Sequence, residues 1–391
     1  MLKILNILLL AVIGTVLPVG AFELIEEPIT LEIGSRISFA SKVLHEEREL
    51  LVHLPEGYAQ SGKRYPVLYL LDGERHFYHA ITASKLLQEQ ARIPELIIVG
   101  IANLEGKRSR DLGAEKETFT RFLQNELMAY VDSHYRTTGL NTLYGHSLAG
   151  YFTVDLLARQ PKLFENYIAA SPPLTGDGDG IYTQLLELDK VQQANEKSLY
   201  FTLASQAEEG RSVTAALNRF VDALTAKAPA ALNWHYEFMP RQTHITTYYP
   251  TFFNGMTYVF NDYQAPVFSG YRQYLDFGAM PGLQAYYKKR GQKYGERDSI
   301  PQSTLTSVAA MLLNEGQAEK ALKIYLTVTE EYPDSALAYS GLGKTYQIME
   351  QYDKSVQAHR KSVELSVQMA PDWQKFFKSR LEKARELAQK H

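Results

Sequence analysis

The chain has 391 residues, with 41 basic and 44 acidic side chains, a formal net charge of -3 and no cysteine. That length accommodates one large α/β domain and a smaller partner, and the near-neutral balance, without any long Lys/Arg block, excludes electrostatic recruitment of nucleic acid or of an anionic membrane surface. A small-molecule partner is expected, and the lack of thiols suits an oxidising compartment.

Residues 1–21 read as a secretory signal: Lys3 supplies the charged start, residues 4–17 the apolar stretch, and Val19-Gly20-Ala21 a small-residue cleavage site. Cleavage is predicted after Ala21, giving a periplasmic or secreted protein. The apolar stretch is shorter than the ~20 residues that a membrane span needs, so no integral span is expected once it is removed.

Residues 22–262 are expected to form one α/β domain. Residues 37–44 and 49–54 read as an antiparallel pair closed by the turn Pro55-Glu56-Gly57. Apolar runs follow at residues 66–71, 96–101, 142–144, 167–170, 199–203 and 235–238, and such nearly continuous runs suit strands covered on both faces. Helical stretches at residues 80–90, 118–134, 148–159, 182–194 and 213–227 lie between them. The alternation predicts a mostly parallel eight-stranded sheet with helices on both faces, the order of an α/β-hydrolase.

Residues 263–300 form an aromatic-rich connecting segment, and residues 301–391 are purely helical in pattern. Leu305, Val308, Ala309, Leu312, Ala321, Tyr325 and Val328, closed by Pro333, are echoed 34 positions later by Tyr339, Leu342, Gly343, Tyr346, Ser355, His359 and Ser362. That period resembles the tetratricopeptide repeat, although Ser355 and Ser362 stand at positions that usually carry small or apolar residues and the closing Pro371 arrives late. Residues 373–388 read as a capping helix. Two repeats bury little surface, so this small all-α tail is expected to lean on the α/β domain through residues 263–294, or on a protein partner or a second copy.

Residues Gly145-His146-Ser147-Leu148-Ala149-Gly150 follow the apolar run 142–144 and precede a helical stretch. Small residues flanking a serine permit the sharp strand-to-helix turn that exposes a nucleophile. Ala149, where glycine is usual, relaxes the pattern slightly. A serine hydroxyl needs a base to take its proton and a carboxylate to hold that base's tautomer. His235, His244, His359 and His391 follow Ser147. Of these, only His244 falls in a loop after the last strand, where the sheet's carboxyl edge delivers it. For the acid, Glu208 is favoured over its neighbour Glu209, with Asp222 further along and a Ser-His dyad as the alternative.

The oxyanion donors are expected to be the backbone N–H groups of Leu148, at a helix start, and Glu74, after the strand at residues 66–71. Gly73 lets the backbone approach the site. Arg108 and Arg110 are candidate contacts for an anionic substrate, and His146 is a candidate substrate contact beside the serine. His76 and His79 have the spacing of a metal pair, but no third ligand lies near in sequence and a serine mechanism needs no cofactor, so neither metal nor cofactor is expected.

With these residues in view, roughly residues 29–260 resemble the esterase family that includes esterase D and the enterochelin esterases. The resemblance rests on Tyr65-Pro66-Val67-Leu68-Tyr69-Leu70-Leu71-Asp72-Gly73, Arg110-Asp111-Leu112, residues 122–135 leading into Gly145-His146-Ser147-Leu148, Ala170-Ser171-Pro172, and His244. It implies a carboxylic-ester hydrolase with Ser147 as nucleophile, Glu208 as acid and His244 as base, closest in flavour to periplasmic siderophore esterases. Ala149, Pro173 and Gly113 depart from the family pattern and bear on the substrate rather than on the reaction. Two other readings stay open: an acyltransferase of the same fold, and an inactive hydrolase fold that binds through its repeat tail.

Overall fold

The computed structural model describes residues 27, 29–176, 178–190 and 196–391. The predicted signal segment, residues 1–21, lies outside the described residues. So does the end of the helix predicted over residues 182–194.

Among the described residues, eight strands form one sheet: β1 (Ser35–Ser41), β2 (Glu46–His53), β3 (Tyr65–Leu71), β4 (Ile97–Ile101), β5 (Thr137–His146), β6 (Asn166–Ala170), β7 (Lys197–Ala204) and β8 (Leu232–Met239). Their spatial order is β1-β2-β4-β3-β5-β6-β7-β8. β1 and β2 form an antiparallel hairpin, β2 runs antiparallel to β4, and β3 to β8 are mutually parallel. This is the predicted α/β-hydrolase arrangement. β3, β4 and β6 are buried along their whole length, because helices cover both faces of a parallel sheet and uniformly apolar runs are then favoured over alternation. The edge strand β8 is mostly half-buried instead, with His235 and Phe238 exposed.

Among the described residues, eight α-helices accompany the sheet: α1 (Gly73–Glu89), α2 (Lys116–Phe122), α3 (Met128–His134), α4 (Leu148–Arg159), α5 (Gly178–Leu185), α6 (Gln206–Glu209), α7 (Arg211–Ala226) and α8 (Tyr248–Val259). α7 shows the rule that shapes them: Ala216, Leu217, Phe220 and Leu224 form one buried stripe facing Phe201 and its neighbours, and the opposite face is solvated. Each such fully buried Leu or Phe contributes roughly 1.5–3 kcal/mol of burial free energy. α1 begins seven residues before the predicted start at residue 80. Glycine and charged residues in its first turn disguise the apolar period that starts at His76 and Phe77.

The chain order makes the site. From β3 the chain leaves through α1 to β4 on one side, and from β5 it leaves through α4 to β6 on the other. Connections diverging in opposite directions open a crevice at the carboxyl ends of β3 and β5, the topological switch point where α/β sheets place their ligands.

Beyond α8 the aromatic-rich segment is helical, with α9 (Tyr271–Asp276) and α10 (Ala279–Tyr294), and the tail contains α11 (Gln302–Asn314), α12 (Ala318–Glu331), α13 (Ala336–Ile348), α14 (Tyr352–Leu365) and α15 (Pro371–Lys390). A cavity of about 670 Å³ opens between α9–α10 and α11–α12, remote in sequence from Ser147. Ser355 and Ser362 are buried with their hydroxyls satisfied: Ser355 Oγ donates to the Gly343 carbonyl at 2.8 Å, and Ser362 Oγ to that of His359 at 2.8 Å. At the junction with the sheet, Tyr294 packs against Phe260 and Tyr263 with centroids 6.0 and 5.2 Å apart. Gly295, at φ 72°, closes α10 directly on the Arg64 carbonyl, where a Cβ would stand 2.4 Å away. The tail leans on the α/β domain through the aromatic segment, at the amino ends of β3 and β5.

Candidate active site

β5 ends at His146 and α4 starts at Leu148, so Ser147 alone makes the turn, at φ 59°, ψ -123°. A non-glycine residue rarely adopts this conformation, and it survives only where its surroundings enforce it. Two contacts do so. The Ser147 N–H donates to the Ala170 carbonyl on β6 at 2.9 Å, and its carbonyl accepts from Tyr151 N at 2.9 Å to start α4. Gly145 makes the closeness possible, since a Cβ there would lie 2.3 Å from the Ala149 carbonyl oxygen. Ala149 itself is fully buried at this crossing and its methyl is tolerated.

The Ser147 Oγ lies 2.9 Å from His244 Nε2, and His244 Nδ1 lies 2.7 Å from Glu209 Oε2. A carboxylate only accepts, so Nδ1 carries the proton and Nε2 offers its lone pair to the serine hydroxyl. His244 sits in the loop between β8 and α8. Its carbonyl is held by His146 Nε2 at 2.8 Å and Thr247 Oγ1 at 2.9 Å, two contacts that set the height of the ring above the sheet. Glu209 closes the short α6, with its side chain only 2% exposed, and its other oxygen accepts from Ala204 N at 3.2 Å. Burial alone would push this carboxyl up, but hydrogen bonds from His244, Ser171 and the Ala204 N–H outweigh it and hold the group below the usual carboxylate range.

The structure departs from the sequence reading at the acid. Glu208 points to solvent and Glu209 reaches His244. Adjacent residues of a helix diverge by about 100°, so only one of the pair can face inward. The phase is fixed by Ser205, whose carbonyl accepts from both N–H groups at 3.0 Å, and nothing in the local sequence announces it.

Of the two expected oxyanion donors, Leu148 opens α4 and Glu74 lies in the first turn of α1. First-turn N–H groups have no acceptor within their own helix, and both helix starts meet at the switch point. Asp72, at φ 54°, ψ 45°, turns the chain into α1 and takes the N–H groups of Arg75 and His76 on its own carbonyl at 2.9 and 3.2 Å. Gly73 packs closely on β4: a Cβ there would lie 2.6 Å from Gly100 C and Ile101 N.

Other expected contacts are redirected inward. Arg110 pairs with Glu46 and Asp111, which fastens it to the β1–β2 hairpin. Arg108 pairs with Asp72 through Nε at 2.7 Å and Nη2 at 2.8 Å, and Nη2 also donates to the His146 carbonyl at 3.1 Å. His146 is buried and lies beside the His244 ring, 5.0 Å between centroids. His76 Nδ1 and His79 Nε2 share a 3.0 Å hydrogen bond inside an aromatic nest with Tyr144 and Tyr248. Burial pushes His76 down to about 3 and His79 to about 4, and burial lowers His146 as well, so all three stay neutral near pH 7.

The family described as "Putative esterase" matches residues 41–236, half of the chain. The chain belongs to this esterase family. Ferri-bacillibactin esterase BesA of Bacillus subtilis is 30% identical over 173 residues, covering 36% of this chain and 59% of that protein. The chain spans 59% of the length of each of the curated relatives it matches. Among solved structures, an IroE-like serine hydrolase from Shewanella oneidensis shares 26% identity at a TM-score of 0.58, over 76% of this chain and 99% of its own. An uncharacterised protein from Capnocytophaga ochracea, 15% identical, matches in fold at a TM-score of 0.62 over 90% of this chain and 99% of its own, a span that reaches into the helical tail.

Within this member of the esterase family, Ser171 entered the sequence reading only inside the motif Ala170-Ser171-Pro172, without a role, and Thr247 did not enter it. Their hydroxyls meet at 3.0 Å below the acid, Ser171 also bonds Glu209, and Thr247 supports the His244 loop. Besides that motif, the position of Ser171 just past β6 was a signal, because residues at the carboxyl ends of parallel strands face the crevice.

Proposed function

We propose that the protein is an exported serine esterase that hydrolyses small carboxylic esters through Ser147, His244 and Glu209, with siderophore-type esters as the substrate class. The carrying observation is the unbroken hydrogen-bond chain from Ser147 Oγ through His244 to Glu209 on a strained turn at the switch point. In this reading Ser147 Oγ attacks the ester carbonyl as His244 Nε2 takes its proton. The oxyanion lies between the N–H groups of Leu148 and Glu74, and Glu209 stabilises the imidazolium. Collapse returns the proton to the leaving alcohol, and water then cleaves the acyl-enzyme by the same steps in reverse order. The siderophore class rests on BesA, a ferri-bacillibactin esterase by name.

Export rests on residues 1–21, and the described residues contain no helix long and apolar enough to cross a membrane. The proposed division is an esterase domain over residues 22–262, a connecting segment over 263–300, and a tetratricopeptide-like tail over 301–391 that serves a protein partner or self-association. A fluorophosphonate probe tests the chemistry: the adduct is expected on Ser147 by peptide mass spectrometry and is lost in Ser147→Ala. An unlabelled Ser147 in the folded protein, or wild-type activity in Ser147→Ala on p-nitrophenyl acetate, overturns the reading. Chromatographic screening of catecholate trilactones against aryl and p-nitrophenyl esters tests the substrate class. Amino-terminal sequencing of the exported protein tests for a start at Phe22.

A further inference from the structure

We propose that Arg108 is a positioning residue that sets the spacing between the two halves of the oxyanion hole. The inference rests on the esterase reading above and adds to it a residue hydrogen-bonded to Asp72 and the His146 carbonyl rather than to the Ser147 hydroxyl. β3 and β5 are hydrogen-bonded neighbours only as far as the rung Leu70↔Tyr144. Past that rung the two chains part, and each runs two further residues before the backbone that leads to an oxyanion donor: Asp72 on one side, His146 on the other. The guanidinium of Arg108 spans this gap. It grips both oxygens of the Asp72 carboxylate at 2.7 and 2.8 Å and donates to the His146 carbonyl at 3.1 Å. Gly73-Glu74 follow the first anchor directly, and Ser147-Leu148 the second.

Asp72 is almost fully buried and holds a left-handed backbone, so its side chain needs an external hold to keep α1 aimed. Asn103 supplies a second one, donating to Asp72 and, through Nδ2 at 3.1 Å and its backbone N at 3.0 Å, to the Glu74 carboxylate. Arg108 differs from Asn103 in reaching β5. A planar fork fixes two directions at once, which an ammonium on a flexible stem does not. The hydrogen bonds of Ser147 and Glu209 to His244 do not pass through Arg108, so loosening the brace leaves the nucleophile activated and spoils the geometry of charge stabilisation.

The test uses the full chain and p-nitrophenyl acetate, with rates normalised to active sites titrated by a fluorophosphonate burst. Arg108→Ala is expected to lower kcat about 100-fold, the scale of a misplaced oxyanion donor, with KM changed less than about threefold. A trifluoromethyl ketone that mimics the tetrahedral adduct is expected to lose affinity by the same factor as kcat/KM. Arg108→Lys is expected to recover only part of the rate, and added guanidinium ion to raise the rate of Arg108→Ala. Asp72→Asn/Arg108→Gln removes both charges together, spares the fold an unpaired buried carboxylate, and is expected to show the same loss. A normalised kcat within threefold of wild type in Arg108→Ala or in the double variant overturns the proposal, as does a loss confined to the titratable fraction of folded sites. If wild-type Ser147 takes no probe, the esterase reading fails instead, and the two failures are told apart by that control.

Discussion

Replacing Glu209 by glutamine is the sharpest probe of the site, because the neighbours of the carboxylate dictate how the amide will sit. Glu209 Oε1 accepts from the Ala204 N–H at 3.2 Å, and Oε2 accepts from His244 Nδ1 at 2.7 Å. An amide has one acceptor and one donor end. The Ala204 N–H, fixed at the end of β7, demands the oxygen, so the NH2 group turns to His244. Nδ1 must then accept, the ring proton moves to Nε2, and the lone pair that should receive the Ser147 proton is gone. Loss of the charge alone removes about 4 kcal/mol of imidazolium stabilisation for charge centres ~4 Å apart at an effective dielectric near 20, or roughly a thousandfold in rate. The wrong tautomer extends this to about ten-thousandfold. Steady-state kinetics on p-nitrophenyl acetate should therefore show kcat falling by about that factor in Glu209→Gln with little change in KM, while Glu208→Gln stays within twofold of wild type. Comparable activity in both variants, or a greater loss in Glu208→Gln, would refute the assignment and the donor-acceptor reasoning behind it.

Other perturbations have equally definite outcomes. Gly145→Ala drives a methyl to 2.3 Å from a backbone oxygen that cannot move and should cost more than about 2 kcal/mol, read from urea midpoints; an unchanged midpoint would mean the elbow is looser than described. His146→Phe keeps a ring beside His244 but removes the hydrogen bond to its carbonyl, and should lower kcat about tenfold at constant KM. His76 and His79 titrate near the ordinary 6.5 when unfolded but at about 3 and about 4 in the fold. The unfolded chain therefore binds more protons as pH drops below 6.5, and stability is lost progressively toward those folded values. From about pH 8 to about pH 5 the pair should account for roughly 4 kcal/mol of lost stability, and urea titrations of His76→Gln/His79→Gln should be correspondingly flatter. Gly295→Val should release the helical tail, splitting a single calorimetric transition into two; one undivided transition would show that the tail does not depend on this contact.

Much of the fold was legible because parallel strands buried on both faces leave uninterrupted apolar runs, as in Tyr65–Leu71, and those runs fall in chain order. Helices with clean stripes, such as Arg211–Ala226, were equally readable. α8, α9 and α10 were not: α9 is a short six-residue helix, and α8 and α10 carry tyrosine, glycine and proline, whose weak helix preference hides the period until neighbours bury it. Ser147 and His244 could be picked out because their loops sit at strand ends, where topology alone brings them together. The choice between Glu208 and Glu209 depends on helical phase, and the fate of Arg108, Arg110 and His146 depends on partners 38, 64 and 98 residues distant. An arginine beside a predicted cleft reads as a substrate contact until the carboxylate that neutralises it is located.

The tail joins the sheet where Gly295 meets the Arg64 carbonyl, at the amino ends of β3 and β5, whereas Ser147 stands at the carboxyl end of β5. The handle and the working end are thus at opposite poles of the same strand. A surface, scaffold or immobilisation resin that grips the protein at this junction holds it at the pole away from Ser147. Changes at this junction fall at the amino ends of β3 and β5, away from Ser147, which leaves this end of the protein open to redesign as an anchor.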